Sequence, residues 1–117
     1  MPTYSKLKHS GSTAGKQIKV AATSTPGTTI HTAVSGTTEW DEVWIYCTNN
    51  HTAAVNLTIE WGGAVSPDDL IQQSIPAKTG LYLIIPGHIL HDSSVVKAFA
   101  GTANVLCISG WVNRVTP

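Results

Sequence analysis

Every second residue is apolar in two segments near the middle of the chain, from Val43 to Cys47 and from Val55 to Trp61. This period of two is that of a β-strand, in which successive side chains point to opposite faces of the sheet. The apolar residues are expected to face a core, and the residues between them are expected to face outward. Trp44 is one of these intervening residues, so the pattern predicts an aromatic ring on the outer face of its strand.

Short runs rich in Val, Ile, Thr and aromatic residues recur along the rest of the chain, separated by clusters of Gly, Pro, Ser, Asn and Thr. Such spacing is typical of an all-β domain with short connections. About eight strands in a chain of this length predict a small antiparallel β-sandwich or jelly-roll-like domain. Residues 81–85 are apolar at every position, which predicts a strand buried on both faces. Residues 48–52, TNNHT, are predicted to form a hairpin turn.

The beginning of the chain lacks this periodicity and is rich in Ser, Gly, Thr and Lys, while the first acidic residue is Glu39. The first nineteen residues contain Lys6, Lys8, Lys16 and Lys19. Segments of this composition are typical of mobile termini that become ordered on a partner. We therefore predict a basic, flexible or extended N-terminal arm over residues 1–16, followed by a β-sandwich domain over residues 17–117.

Composition adds a prediction about the surface. The 117 residues suit one domain, and only 12% of them are charged, whereas about 25% is usual for a soluble domain. The formal net charge is zero, so no long-range field favours nucleic acid or a membrane. No apolar run is long enough to span a bilayer, and no secretory signal is recognisable, which favours synthesis in the cytoplasm. We expect a surface that another protein covers.

The segment IEWGGAVSPDDLI, residues 59–71, contains two adjacent acids that suggest either a catalytic or calcium-binding pair or a turn. Adjacent side chains on a strand point to opposite faces, so the carboxylates of Asp68 and Asp69 would not converge on one atom. Pro67 fixes its own φ angle, and aspartate side chains accept hydrogen bonds from nearby backbone amides in turns. We favour the turn.

The histidines and cysteines predict no reactive centre. Only His88 and His91 are close in sequence, and an extended HxxH segment does not aim both rings at one metal ion, which would also need further ligands. The sequence contains no GxSxG nucleophile motif, and GSTAGK at residues 11–16 lacks the ending of a phosphate-binding loop. Cys47 and Cys107 are predicted to be buried free thiols. A disulfide between them, which would require facing strands, is the alternative. We predict no catalytic residue, metal or cofactor, and hence a non-enzymatic protein.

The tryptophans offer two kinds of contact. Trp61 falls on the core side of its strand, whereas Trp40 and Trp44 are the candidates for exposure. Aromatic anchors dominate the energetics of protein interfaces, and exposed rings also stack on sugars. Protein contact is the favoured interpretation for Trp40 and Trp44. Core packing and carbohydrate binding remain alternatives.

Several phrases of the sequence resemble a group of small virion proteins of tailed phages. The phrases are an IHTA-like start, a DEVW strand, LTIEWGG followed by SPDD, a proline-glycine after an apolar run, and a closing strand that ends in VNR; together they span residues 28–115. The resemblance implies a β-sandwich without an active site. It also implies a capsid decoration, or cement, protein that sits on the virion exterior as a trimer or other small homo-oligomer and bridges subunits of the major capsid protein. Tail and head–tail junction proteins are alternatives within the same resemblance.

The sequence thus predicts a contact surface built from the arm and two tryptophans. Its members are Tyr4, Lys6, Lys8, Lys16, Lys19, Trp40 and Trp44. The expected partner is the major capsid protein. The alternative from another class is a carbohydrate-binding module that holds a host glycan.

Overall fold

The computed structural model describes residues 2–117; Met1, the first residue of the predicted arm, lies outside the described residues. Nine β-strands run through this part of the chain. They are β1 (Thr3–Leu7), β2 (Ile18–Lys19), β3 (Thr28–Thr32), β4 (Trp40–Asn49), β5 (Val55–Trp61), β6 (Leu70–Ile75), β7 (Tyr82–Leu90), β8 (Val95–Ala100) and β9 (Leu106–Thr116). Between residues 2 and 117, no helix has the length and hydropathy needed to cross a membrane.

The strands form two antiparallel sheets. In the five-stranded sheet the order is β1-β9-β4-β7, and the short β2 also pairs with β9, beyond the end of β1. In the four-stranded sheet the order is β3-β8-β5-β6. The all-β fold and the small β-sandwich predicted from the sequence are therefore confirmed.

The core lies between the two sheets and follows the predicted alternation. Along β4 every second residue is buried, and Val43, Ile45 and Cys47 are fully so. In the other sheet, Leu57 and Ile59 of β5 are buried on the facing side. Because both sheets present Val, Ile and Leu at alternate positions, their inner faces close over a common apolar layer. Trp61 is partly buried and packs against this layer, as predicted.

Residues 48–52 do not form a hairpin, contrary to the prediction. β4 belongs to the five-stranded sheet and β5 to the four-stranded sheet, so this connection crosses between them. The buried Asn49 explains the crossing, because its side-chain amide donates hydrogen bonds to the carbonyls of Ala53 (3.0 Å) and Ile75 (2.9 Å). Its Oδ1 also accepts the amide N–H of His51 (2.8 Å). These bonds direct the chain toward β6 of the other sheet.

The prediction that residues 81–85 form a strand buried on both faces is wrong. β7 lies at the edge of the five-stranded sheet, where β4 is its neighbour in the ladder. Ile85 faces the core, but Leu81 is 60% and Leu83 is 44% exposed. The continuous apolar run therefore belongs to a strand with one apolar face in the core and the other apolar face exposed.

The division into an arm at residues 1–16 and a domain at 17–117 stays a prediction, but the structure shows how these residues lie. β1 is extended and pairs with β9 of its own chain, from Thr3 opposite Thr116 to Leu7 opposite Val112. All five residues of β1 are exposed. Two residues after β1, His9 is buried and its Nε2 lies 2.9 Å from the carbonyl oxygen of Trp44 in β4, so part of the predicted arm packs against the sheet.

Candidate interaction surface

The outer face of the five-stranded sheet collects most of the sequence-predicted contact residues. Residues opposite each other in an antiparallel ladder point to the same side, so the register identifies this face. Trp44 lies opposite Trp111 on β9, and Tyr46 lies opposite Leu83 on β7. We call this surface the outer aromatic face. Its aromatic, apolar and basic members are Tyr4, Lys6, Trp40, Trp44, Tyr46, Leu83, Ile89 and Trp111. Glu42 lies in the same outward row and accepts a hydrogen bond from the side-chain amide of Asn113 at 2.9 Å.

A stack of aromatic rings forms the centre of this face. The ring centroids of Trp44 and Trp111 are 5.3 Å apart with an interplanar angle of 13°, and Tyr46 stacks on Trp111 at 6.0 Å. The ammonium of Lys6 lies 4.7 Å from the centroid of the Trp111 ring, within cation–π range. Each ring is held by its neighbours, so the stack presents a rigid, half-buried platform.

Two glycines in the neighbouring strands allow close approach to Trp44, one to its ring and one to its backbone carbonyl. Gly87 has a φ of +78°, and a Cβ at that position would lie 2.8 Å from Cζ2 of Trp44. The register of β7 against β4 shifts at this point, between Val43 and Trp44, so β7 bulges beneath the indole. At Gly110, with a φ of +137°, a Cβ would lie 2.1 Å from the carbonyl oxygen of Trp44. The Pro86-Gly87 pair, which resembles a turn signal in sequence, is thus a bulge within a strand.

Exposed apolar side chains surround the stack. Tyr4 on β1 is 63% exposed, and Ile89 on β7 is 56% exposed. Trp40 is half-buried beside Val115. A single exposed apolar residue is ordinary, but a cluster on one face is typical of a protein contact surface.

Five of the seven predicted contact residues lie on this side of the sheet, namely Tyr4, Lys6, Lys19, Trp40 and Trp44. Lys19 belongs with them through its pairing with Cys107, whose other ladder partner is Thr48 in the outward-facing row of β4. Lys8 follows β1, and Lys16 lies in the turn where its carbonyl accepts the Ser12 hydroxyl; both are exposed and neither is on the stack.

The prediction omitted Trp111 from the contact set. Ile108 and Val112 are inward-facing residues of β9, so alternation along this strand indicates that Trp111 faces outward.

A buried polar cluster lies on the opposite side of the same sheet. Asp41 is fully buried and accepts two hydrogen bonds from Arg114, Nε to Oδ1 at 2.7 Å and Nη2 to Oδ2 at 3.0 Å. His31 Nε2 lies 2.8 Å from Oδ2 of the same carboxylate. The backbone N–H of Ser10 donates to His31 Nδ1 at 3.0 Å. Because Nδ1 accepts, the proton of a neutral His31 is on Nε2, which donates to Asp41.

The pKa values of this cluster follow from burial and from these bonds. Burial lowers the pKa of His31, although the hydrogen bond to Asp41 acts the other way. Burial also lowers the pKa of His9, whose Nε2 donates to the Trp44 carbonyl at 2.9 Å. Burial alone would raise the pKa of Asp41, but the bonds from Arg114 and His31 outweigh it and hold that pKa below its usual value. The cluster therefore holds a charged Asp41–Arg114 pair beside neutral imidazoles.

The same geometry decides how a Ser-His-Asp grouping in this cluster behaves chemically. A catalytic histidine receives the proton of the serine hydroxyl on one nitrogen while the acid orients the other. Here the Ser10 backbone amide, rather than its hydroxyl, faces the ring, and Ser10 Oγ accepts the N–H of Thr32 at 2.7 Å. His31 is 2% exposed. The grouping fastens the segment after β1 to β3, and it does not activate Ser10 as a nucleophile.

The acids of the segment 59–71 form a turn, as predicted. Asp69 Oδ2 accepts the N–H of Val65 at 3.1 Å, and the Asp69 amide donates to the Val65 carbonyl at 2.9 Å. The carboxylate lies so close to Gly63 that a Cβ there would be 2.4 Å from Oδ2. Asp69 therefore shapes the backbone between β5 and β6.

The remaining candidate ligands are dispersed. Within residues 2–117, no group of three His, Cys, Asp or Glu side chains is arranged to hold a metal ion. His88 packs edge-on against Trp61, with ring centroids 6.3 Å apart. Cys47 and Cys107 are free thiols, as predicted. Only Cys47 is buried; the prediction of burial is wrong for Cys107, which is half-buried because it lies opposite Thr48 in the outward-facing row of the sheet. Burial raises the pKa of Cys47 to about 12, which keeps it a protonated, unreactive thiol.

Comparison with models of protein families, with curated proteins and with solved structures finds no match to this chain. The role of the outer aromatic face is therefore inferred from its geometry and from the sequence.

Proposed function

We propose that the chain is a non-enzymatic structural protein of a bacteriophage virion, of the capsid decoration or cement type. In this proposal it docks on the major capsid protein through the outer aromatic face. The observation that carries the proposal is the convergence of stacked tryptophans and exposed apolar residues on one face of the sandwich. The resemblance of residues 28–115 to tailed-phage virion proteins supports the choice of partner.

The chemistry of the face supports a protein partner. The centres of protein interfaces are enriched in Trp, Tyr, Met and Arg and depleted of acidic residues. The stack of Trp44, Trp111 and Tyr46 has this character, and Leu83 and Ile89 extend it. Rigid aromatic side chains lose little conformational entropy on binding, so a preorganised stack favours affinity.

The function proposed for the docked protein is mechanical. Each copy buries a modest area, and many copies on one shell connect neighbouring capsid subunits, so their contributions add across the shell. β1 extends the face beyond the stack, because it carries Tyr4 and Lys6 at the far edge of the sheet. The proposed location is the exterior of the virion, after synthesis in the host cytoplasm.

The docking face is tested by placing a charge on it. Ile89→Lys changes an exposed residue of the face, whereas Val65→Lys changes an equally apolar residue, 62% exposed, in the turn before β6. Shells assembled from the major capsid protein of the same genome are mixed with each variant and sedimented. We expect Ile89→Lys to weaken shell binding at least about tenfold, since it desolvates a lysine in the interface, and Val65→Lys to bind like the wild type.

Two results would contradict the proposal. Equal binding of all three proteins would remove the docking role of the outer aromatic face. Absence of the wild-type protein from sedimented shells, together with its presence on isolated tails, would move the protein to the tail or the head–tail junction.

A further inference from the structure

The outer face of the four-stranded sheet carries a trough of uncharged polar side chains. We call it the polar groove; it has a cavity volume of about 360 Å³. The side chains that define it are Thr23, Asn56, Thr58, Gln72, Ser74 and Phe99. We infer that the polar groove is a binding site for a neutral saccharide.

The register of the sheet explains why a groove forms here. Thr58 in the central strand β5 lies between Gln72 on β6 and Phe99 on β8. Thr58 is only 5% exposed, because the longer side chains rise on either side of it. Next along β5, Asn56 is hydrogen-bonded through its carbonyl to the N–H of Gly101, at 3.0 Å. A Cβ at Gly101 would lie 4.0 Å from the backbone nitrogen of Asn56, an ordinary van der Waals distance, and Gly101 has no side chain to fill that end of the groove.

The polar groove is lined mainly by hydrogen-bonding side chains. Its lining includes the side-chain amides of Asn56 and Gln72 and the hydroxyls of Thr58 and Ser74. Amides and hydroxyls both donate and accept. By contrast, Glu60 on the same face accepts bonds from Thr25 Oγ1 and the Gly27 amide, each at 2.6 Å, and is sealed beneath that segment.

The chemistry of the lining selects the class of ligand. Among the described residues that line the groove there is no lysine, arginine, aspartate or glutamate, so none of them neutralises an anion or a cation. An apolar ligand would remove water from the six polar side chains of the lining (Thr23, Asn56, Thr58, Gln72, Gln73 and Ser74) without replacing their hydrogen bonds, which is unfavourable. A sugar ring offers hydroxyls that match the amides and an apolar C–H face that matches Phe99. The volume lies within the usual range for small-ligand sites, about 300 to 1,000 Å³.

This inference does not depend on the proposed function. The two sheets of the sandwich pack face to face, so the polar groove and the outer aromatic face point away from each other. A copy docked through its aromatic side would leave the groove in solvent, but the isolated protein is equally able to bind a sugar.

The test uses the full chain without shells. An array of neutral oligosaccharides identifies a ligand, which is then titrated while ¹H–¹⁵N amide shifts are recorded. We expect shifts at Asn56, Thr58 and Gln72, including the side-chain amides. Asn56→Ala should weaken binding about tenfold, as expected for the loss of one or two ligand hydrogen bonds. Asn50→Ala, a matched change at an exposed asparagine outside the groove, should leave binding unchanged.

A second variant separates ring stacking from folding. Phe99→Leu keeps an apolar side chain at a half-buried position and removes the ring, so the sheet is expected to fold while affinity falls. The inference is overturned if no neutral oligosaccharide binds the folded protein. It is also overturned if the shifted resonances are the indoles of Trp40 and Trp44, which would place the sugar on the outer aromatic face instead.

Discussion

Trp44 constrains the backbone of both strands next to it. Its ring lies over Gly87 of β7, and its carbonyl lies against Gly110 of β9. Both glycines have positive φ angles, which residues with a Cβ rarely adopt. The indole thus requires a glycine at position 87, and the backbone carbonyl of residue 44 requires one at position 110. Sequence spacing does not reveal either relation.

Substitution of Gly87 tests this relation. Gly87→Ala adds the strain of a positive φ, roughly 1 to 2 kcal/mol, and a clash with the indole of roughly another 1 to 3 kcal/mol. Gly36→Ala is the matched control, because Gly36 has a φ of +81° but open space around its Cβ. Urea unfolding should show a larger loss for Gly87→Ala than for Gly36→Ala. In a Trp44→Ala background the two losses should become similar; a difference that persists there would contradict the role of the ring.

The His31–Asp41 cluster predicts that acid destabilises the fold. His9 and His31 have lowered pKa values in the folded protein, whereas imidazoles of the unfolded chain bind protons below about pH 6.5. Unfolding therefore takes up protons below that pH. The contribution of the two imidazoles to the free energy of unfolding is complete above about pH 6.5 and decreases as the pH falls, until the folded-state pKa values are passed. Each group contributes at most about 1.4 kcal/mol per pH unit.

The structure gives this pH dependence a geometric cause. A proton added to His31 Nδ1 would face the Ser10 N–H, donor against donor, with His9 only 6.0 Å away and Arg114 on the shared carboxylate. Asp41 does not contribute in this range, because a lowered carboxyl pKa removes stability only at lower pH.

The measurement is the urea midpoint at pH 7.5 and at pH 5.0. We expect a lower midpoint at pH 5.0 in the wild type. The difference should be smaller in His31→Gln, which lacks one of the two buried imidazoles, and should persist in His51→Gln, a change outside the cluster. An unchanged difference in His31→Gln would exclude His31 as the group responsible.

At the scale of elements, β1 and the segment 9–12 are held in different ways. β1 exposes all five of its residues and is held by its ladder with β9. The segment 9–12 contains the buried His9, the bond from the Gly11 amide to the Ile30 carbonyl (2.9 Å), and the bond from Ser12 Oγ to the Lys16 carbonyl (2.7 Å). The predicted arm therefore consists of a weakly held strand and a firmly held anchor.

Two truncations separate these parts. Removal of residues 1–7 should change the free energy of unfolding little, since the hydrogen bonds of β1 and the entropy of ordering it nearly cancel. Removal of residues 1–16 should cost at least about 2 kcal/mol more, because it also removes the His9 and Gly11 contacts. Calorimetry of both truncated proteins measures the difference. Equal stability of the two would show that the anchor contributes nothing.

At the scale of the whole molecule, the two outer faces differ in chemistry. One carries stacked aromatic rings and exposed Leu and Ile, and the other carries neutral amides and hydroxyls. With a net charge of zero, neither association of copies nor docking is opposed by strong self-repulsion. Contact through the aromatic side is therefore the expected route to assembly.

The oligomeric state follows from the proposed function. A decoration protein that docks preassembled on a threefold site should be a trimer in solution, with three times the chain mass of 12.4 kDa. Light scattering at several concentrations measures it. A stable monomer at all concentrations would contradict preassembly and would require the copies to meet on the shell.

The sequence by itself determined the class of fold and the outward position of Trp44, because alternation with a period of two is a local property of each strand. It also determined the turn at Asp69, since proline and aspartate act on their own backbone. Which strands became neighbours was decided by the tertiary structure. The hydrogen bond from the Asn49 side chain to the Ile75 carbonyl accompanies the crossing of the chain to the other sheet. β7 lies at the edge of its sheet, which leaves Leu83 exposed.

Both candidate sites depend on those neighbours. Trp44 meets Trp111 from far along the chain, and Thr58 becomes the floor of a groove only between Gln72 and Phe99. Side chains from distant strands face each other only once the register is fixed, and many long-range contacts fix that register together. A local pattern therefore predicts which way a side chain points, whereas the assembled sheets decide which side chains it meets.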